Sequence, residues 1–259
     1  MALKKTGNKI KALNSVILHR DYVFRTVMLL FLTCLFVVQS VSARSSVQKY
    51  TFAKEAGFIH KQQLAYFAKA KRAYNFKEHA YAARLFAILS EQGHSKSQYF
   101  LGSQFDIGLG VDVSKEKAFA LYQKAAVANI RAAQHNLAVS YANGQGTKVD
   151  VVKAIYWWKK AAKRGDTDAQ YNLGIIYASG HGSVEPDLKK ALKWWRMAAI
   201  NGDAIAQFNL GALYANGVGM SSRTCEASRW WKKSAENGFA RAKLALALLE
   251  TKNDYDICH

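Results

Sequence analysis

From residue 62 onward, small and apolar residues recur at helical spacing and do not alternate with polar ones. In the stretch 188–203, Ala191, Trp195, Ala198, Ala199 and Gly202 stand at offsets 0, 4, 7, 8 and 11, one face of a 3.6-residue helix. Upstream, Ala82, Phe86, Leu89 and Gly93 keep offsets 0, 4, 7 and 11. No β-branched run alternates with polar residues over any length, so the pattern predicts helices throughout. Glycine pairs punctuate them: Gly108-Leu-Gly110, Gly144-Gln-Gly146, Gly180-His-Gly182 and Gly217-Val-Gly219. Their spacings are 36, 36 and 37, the extra residue falling around Glu185-Pro186.

Other positions keep the same step. Gln98, Gln134, Gln170 and Gln207 do so, as do Leu101, Leu137, Leu173 and Leu210, and Ala118, Ala154, Ala191 and Ala227. The chain therefore carries four tandem units, 95–130, 131–166, 167–203 and 204–239, each with one helix before the glycines and one after. Alanines in the second helix allow close approach, and an aromatic fills the space they leave. Gly165, Gly202 and Gly238 follow the second helices, where the chain leaves through a left-handed turn; Asn129 holds that position in the first unit. Alanine there costs about 1–2 kcal/mol. The Gly-x-Gly pairs end the first helices and reverse the chain. A phosphate loop would occur once and follow a strand, and no strand is predicted before any of the four.

These residues resemble the Sel1-like repeat, a branch of the tetratricopeptide superfamily. The shared motif is A-x-x-x-L-G-x-x-Y-x-x-G-x-G followed by K-A-x-x-W-W/Y-x-K-A-A-x-x-G, seen in AQYNLGIIYASGHGSVEPDLKKALKWWRMAAINGD. The likeness covers about Ser95 to Phe239. It implies an all-α fold, a right-handed α-solenoid of antiparallel helix pairs whose first helices line a concave surface. Residues 44–94 then hold N-terminal helices with one shorter tetratricopeptide-like unit, in which AYNFKEHA replaces the glycine turn. Residues 240–259 form a capping helix and tail. The resemblance implies a non-enzymatic scaffold that binds a protein or peptide, and many bacterial members of the family are exported. Carried onto this chain, the groove of the superfamily is lined by Tyr99, His135, Tyr171 and Phe208, with Phe100, Asn136, Asn172 and Asn209 beside them. Ser103, Val139, Ile175 and Ala212 lie two residues beyond each repeat leucine. Aromatic rings next to amides suit an extended peptide, whose side chains they cover and whose backbone they pair with.

Charge adds a second surface. The 259 residues carry 37 Lys and Arg against 18 Asp and Glu, a formal +19. Basic residues recur on the second helices, at Lys159, Lys160, Lys163 and Arg164, then Lys189, Lys190, Lys193 and Arg196, then Arg229, Lys232 and Lys233. Such a face fits an anionic envelope component, a membrane surface or wall polymer, as the alternative partner. The Trp pairs Trp157-Trp158, Trp194-Trp195 and Trp230-Trp231 place their second member on the core stripe and their first beside it.

Residues 1–43 read as an export signal. Six basic residues precede or flank VMLLFLTCLFVV, Val27 to Val38, and Val41-Ser42-Ala43 offers a cleavage site before Arg44. Twelve helical residues span about 18 Å, short of a bilayer core. An uncleaved signal anchor is the alternative, and would be the chain's only membrane contact. The protein is thus expected in the periplasm or secreted, and export disfavours nucleic acid as a partner. With Cys34 removed, Cys225 and Cys258 remain, either as a disulfide closing 34 residues, as free thiols, or paired with another protein. No cofactor or metal is expected: the seven histidines lack ligand spacing, and no Ser or Cys has an evident His partner. A cysteine-rich branch of the family is linked to β-lactam hydrolysis, but there each repeat holds a disulfide, whereas the repeats here contain one cysteine.

Overall fold

The computed structural model describes residues 60–217 and 224–250. The proposed export signal, Cys34, Gly219, Cys258 and the tail lie outside them. The unit that begins at Ala65 is all-helical among its described residues. Its helices are α1 (ending at residue 75), α2 (His79–Glu91), α3 (Ser95–Ile107), α4 (Lys115–Val127), α5 (Arg131–Asn143), α6 (Val151–Ala162), α7 (Thr167–Ser179), α8 (Leu188–Ile200), α9 (Ala204–Ala215), α10 (Thr224–Glu236) and α11 (Ala240–Glu250). Each packs on its neighbours in chain order. The pairs α3/α4, α5/α6, α7/α8 and α9/α10 form the four repeats.

Within a pair, a small residue on the first helix receives the aromatic of the second. A Cβ on Gly211 would stand 2.6 Å from the Trp231 ring, and one on Gly102 3.0 Å from Tyr122. At Gly174 it would overlap the Trp195 ring outright. The close approach lets the indole reach the helix backbone: Trp195 Nε1 donates to the Tyr171 carbonyl at 3.2 Å, and Trp231 Nε1 to Phe208 at 3.0 Å. The second repeat has Ala138 at the small position, and there Trp158 Nε1 is buried without a partner.

The recurring glutamine has a definite task between repeats. A helix leaves its last carbonyls unsatisfied, and each buried glutamine donates to one of them on the preceding second helix. Gln98 reaches Ser90, Gln134 reaches Ala126, Gln170 reaches Ala162 and Gln207 reaches Ala199, at 3.0–3.3 Å. Asn201 and Asn237 then donate to the glutamine Oε1 of Gln170 and Gln207. Arg164 stands at the equivalent place in the second repeat, and Gln134 Oε1 is left unpaired.

The turns follow the expected conformations. Gly108 and Gly144 close α3 and α5 in the left-handed region, at φ 73° and 69°. Asn129 takes φ 62° where the other repeats have glycine. In AYNFKEHA a lysine does the same work: Lys77 sits at φ 64° between α1 and α2. Ser114, Asp150 and Asp187 cap the second helices α4, α6 and α8, and His94, Asp166 and Asp203 cap the first helices α3, α7 and α9.

Candidate functional site

The predicted groove residues occupy one recurring position of each first helix, and all are half-buried. In the second to fourth repeats, part of the ring serves the junction with the helix that follows the repeat, whereas Tyr99 packs within its own repeat. Phe208 lies 5.2 Å from Phe239, ring to ring, and His135 Nδ1 is 3.1 Å from Asp166 Oδ1. Tyr171 approaches Asp203; burial, and then that carboxylate, push its phenol above the usual range. Tyr99 packs on Tyr122 at 6.2 Å. The flanking residues divide further. Phe100 stacks on Phe86 at 5.2 Å, joins the N-terminal aromatic cluster with Phe67 and Tyr74, and meets the Tyr99 ring edge-on at 5.4 Å. Asn136 lies against the Tyr122 hydroxyl. Asn172 and Asn209 are half-buried, and no side-chain hydrogen bond to either is seen among the described residues. Beside them are Val139 and Ala212, half-buried, and Ile175, 37% exposed. The open part of the face therefore lies in the third and fourth repeats.

Two acids that the sequence reading did not single out shape this face. Asp166 caps α7 by accepting from the Ala169 N–H at 2.9 Å, and it also meets His135, with Arg131 Nε at 3.9 Å. Burial alone would raise its pKa, but His135, the Ala169 N–H and Arg131 together hold the carboxyl below its usual value. Asp106 pairs with Lys115 and accepts from the Tyr122 hydroxyl at 3.2 Å. Burial, then Asp106, pushes that buried phenol strongly upward. The sequence signal was available at Asp166 and Asp203, since each stands four residues before a repeat glutamine, at a helix start.

Charge is partitioned between the two sets of helices. The four second helices carry thirteen basic residues against three acidic. The four first helices carry two of each. On the outer set, Trp158, Trp194, Trp195 and Trp231 are buried, while Trp157 and Trp230 are half-buried beneath Lys160 and Lys233, with Nζ 4.9 and 4.7 Å from the ring centres. The tryptophans thus act as core and as support for lysines. Among the described residues no cluster of three or more His, Cys, Asp or Glu side chains is placed to hold a metal, and no helix is long and apolar enough to cross a membrane. Cys225, near the start of α10, takes part in a disulfide.

The Sel1 repeat matches the chain at residues 95–127, 131–166, 167–203 and 204–239, more than half its length. The chain belongs to the Sel1 repeat family. Two solved structures are 31% identical to it. One is a Sel1 repeat protein from Oxalobacter formigenes, with a TM-score of 0.64, covering 71% of this chain and 74% of that one. The other is a protective antigen of uropathogenic Escherichia coli strains that displays the same repeat fold, with a TM-score of 0.69, covering 72% of this chain and 41% of that one. No curated protein matches the chain. The fold is accordingly the right-handed Sel1-type α-solenoid. Sel1 solenoids typically serve protein–protein interaction and are generally non-catalytic scaffolds.

Proposed function

We propose that this Sel1 repeat protein is a non-enzymatic adaptor that binds an extended segment of a partner protein along its first-helix face. The observation that carries this reading is the pair of half-buried amides, Asn172 and Asn209, one repeat apart and without a hydrogen-bonded partner among the described residues, flanked by Tyr171, Phe208 and Ile175. Such amides can exchange water on their open side for a partner's donors and acceptors, and a peptide backbone supplies both. The first helices carry two basic and two acidic residues, so the face has no net excess of charge and binding there depends on burial and amide pairing. The basic-then-apolar pattern of residues 1–43 supports action in the cell envelope or after secretion. In an envelope extract, the full chain retains a protein at moderate salt and loses it on Tyr171→Ala/Asn172→Ala. Equal retention by both forms would sink this reading.

The charge partition favours a second reading, in which the outer basic helices meet an anionic envelope component. Binding of that kind weakens steeply as salt screens the charges.

A further inference from the structure

The acids that open α7 and α9 occupy matching places with unlike surroundings. Asp166 and Asp203 have similar backbone angles, φ −79° and −66° with ψ 106° and 113°. Each accepts from the N–H three residues on, at 2.9 and 2.6 Å. Asp166 also has partners from the preceding first helix: His135 Nδ1 lies 3.1 Å from one carboxylate oxygen and Arg131 Nε 3.9 Å from the other. At the junction between the third and fourth repeats the matching residues are Thr167 and Tyr171, and Asn201 stands where Arg164 does. Asp203 therefore keeps the cap but has no ion pair among the described residues. It is half-buried and near enough to Tyr171 to add to the effect of burial on that phenol.

The charge around Asp203 has one sign. Lys96 and Arg131, the basic residues of the first helices, belong to the first and second repeats, and α7 and α9 hold no Lys or Arg. Asp168, Tyr171, Asn172 and Ile175 stand at offsets 0, 3, 4 and 7, one stripe of α7. Asp168 is exposed and likewise makes no ion pair among the described residues. The open part of the groove thus presents carboxylates from two helices beside one tyrosine. The preceding junction shows what answers such an acid: a guanidinium next to a ring. Arginine supplies a planar fork that pairs with a carboxylate and stacks on an aromatic face, whereas lysine supplies the charge alone. The chain as a whole carries a formal +19, which repels basic segments, so selection of one reports the local carboxylates.

We propose that the segment held in the groove carries an arginine, seated on Asp203 over the Tyr171 ring, and that Asp203 sets this preference. The inference rests on the groove reading above, and the test separates the two. The probe is a random-peptide library displayed on phage and selected on the full chain at moderate salt. Binders are sorted by whether Tyr171→Ala/Asn172→Ala abolishes their capture, and the groove-dependent ones are enriched in arginine. One such peptide, made with its arginine and with glutamine in that place, is then titrated by fluorescence anisotropy. Asp203→Asn retains an N-cap; it weakens the arginine peptide about tenfold and leaves the glutamine peptide unchanged. Thr167→Arg, which puts a guanidinium where the second repeat has Arg131, also removes the preference. Groove-dependent peptides without arginine enrichment would overturn the inference and leave the groove reading standing. Capture that ignores the groove variant would overturn both. Equal weakening of the two peptides by Asp203→Asn would reduce Asp203 to a helix cap, and equal enrichment of lysine would remove the guanidinium from the account.

Discussion

Trp158 and Trp195 occupy the same position in successive repeats but differ in one hydrogen bond. Trp195 meets Gly174 and reaches the Tyr171 carbonyl, whereas Trp158 meets Ala138 and its buried N–H finds no acceptor. A hydrogen bond nets about 1 kcal/mol, and a buried donor left unpaired costs a similar amount. Trp195→Phe should therefore destabilise the protein by roughly 1–2 kcal/mol more than Trp158→Phe, in paired urea titrations followed by circular dichroism. Asp166 gives a second contrast at this scale. Its folded pKa is depressed, so its stabilisation is complete above the unfolded carboxylate value near 4 and is lost as pH falls through the folded value. Asp166→Asn keeps an N-cap but removes the charge. It should lower stability at neutral pH by about 1 kcal/mol, since the carboxyl keeps some contact with solvent, and flatten the acid limb of the urea midpoint below pH 4. An unchanged acid limb would mean that other carboxylates govern it. Spacing found the second-helix alanines Ala118, Ala154, Ala191 and Ala227, all buried, because burial at offsets 0, 4 and 7 follows from helix geometry alone. It missed the role of the glutamines, whose acceptors lie on the preceding repeat, and the stacking of Phe100 on Phe86 from another helix.

Between elements, the second glycine of the first two Gly-x-Gly pairs has a use that turn chemistry does not reveal. Gly110 and Gly146 take φ 76° and 68°, and a Cβ on either would overlap the start of the preceding repeat's second helix, at His79–Ala80 and Lys115–Glu116. The third repeat escapes this contact. Its additional residue opens the turn, His181 and Val184 pair across it, and a Cβ on Gly182 would meet nothing nearer than a Val151 methyl at 3.9 Å. Gly182→Ala should thus cost only the left-handed strain, about 1–2 kcal/mol. Gly146→Ala adds a backbone clash and should cost at least ~2 kcal/mol more. Equal thermal midpoints for the two variants would remove the close approach from this account. A 37-residue spacing in one unit was visible in the sequence, but its effect on packing was not.

Across the whole chain, the repeat separates two chemistries that a linear sequence interleaves. Neutral first helices and basic second helices alternate every dozen or so residues, and stacking gathers each set on its own face. Each face has its own salt response. Association of the full chain with anionic lipid vesicles, if the outer face drives it, should fall steeply between roughly 0.05 and 0.3 M salt and be unaffected by Tyr171→Ala/Asn172→Ala. Vesicle binding that persists at the higher salt would point away from the basic helices.

The helix pairs, their register, the glycine and asparagine turns and the membership of the family were all written in the 36-residue period, since helix geometry and turn conformations are local and act within a few residues. Which side chains remain open was decided only by tertiary packing. Asn136 and Asn172 are equivalent in sequence, yet the first lies against Tyr122 while the second makes no side-chain hydrogen bond among the described residues, because the neighbouring repeats differ in what they present. A residue's own periodicity fixes the face it occupies; the next helix in space fixes whether that face is core or surface.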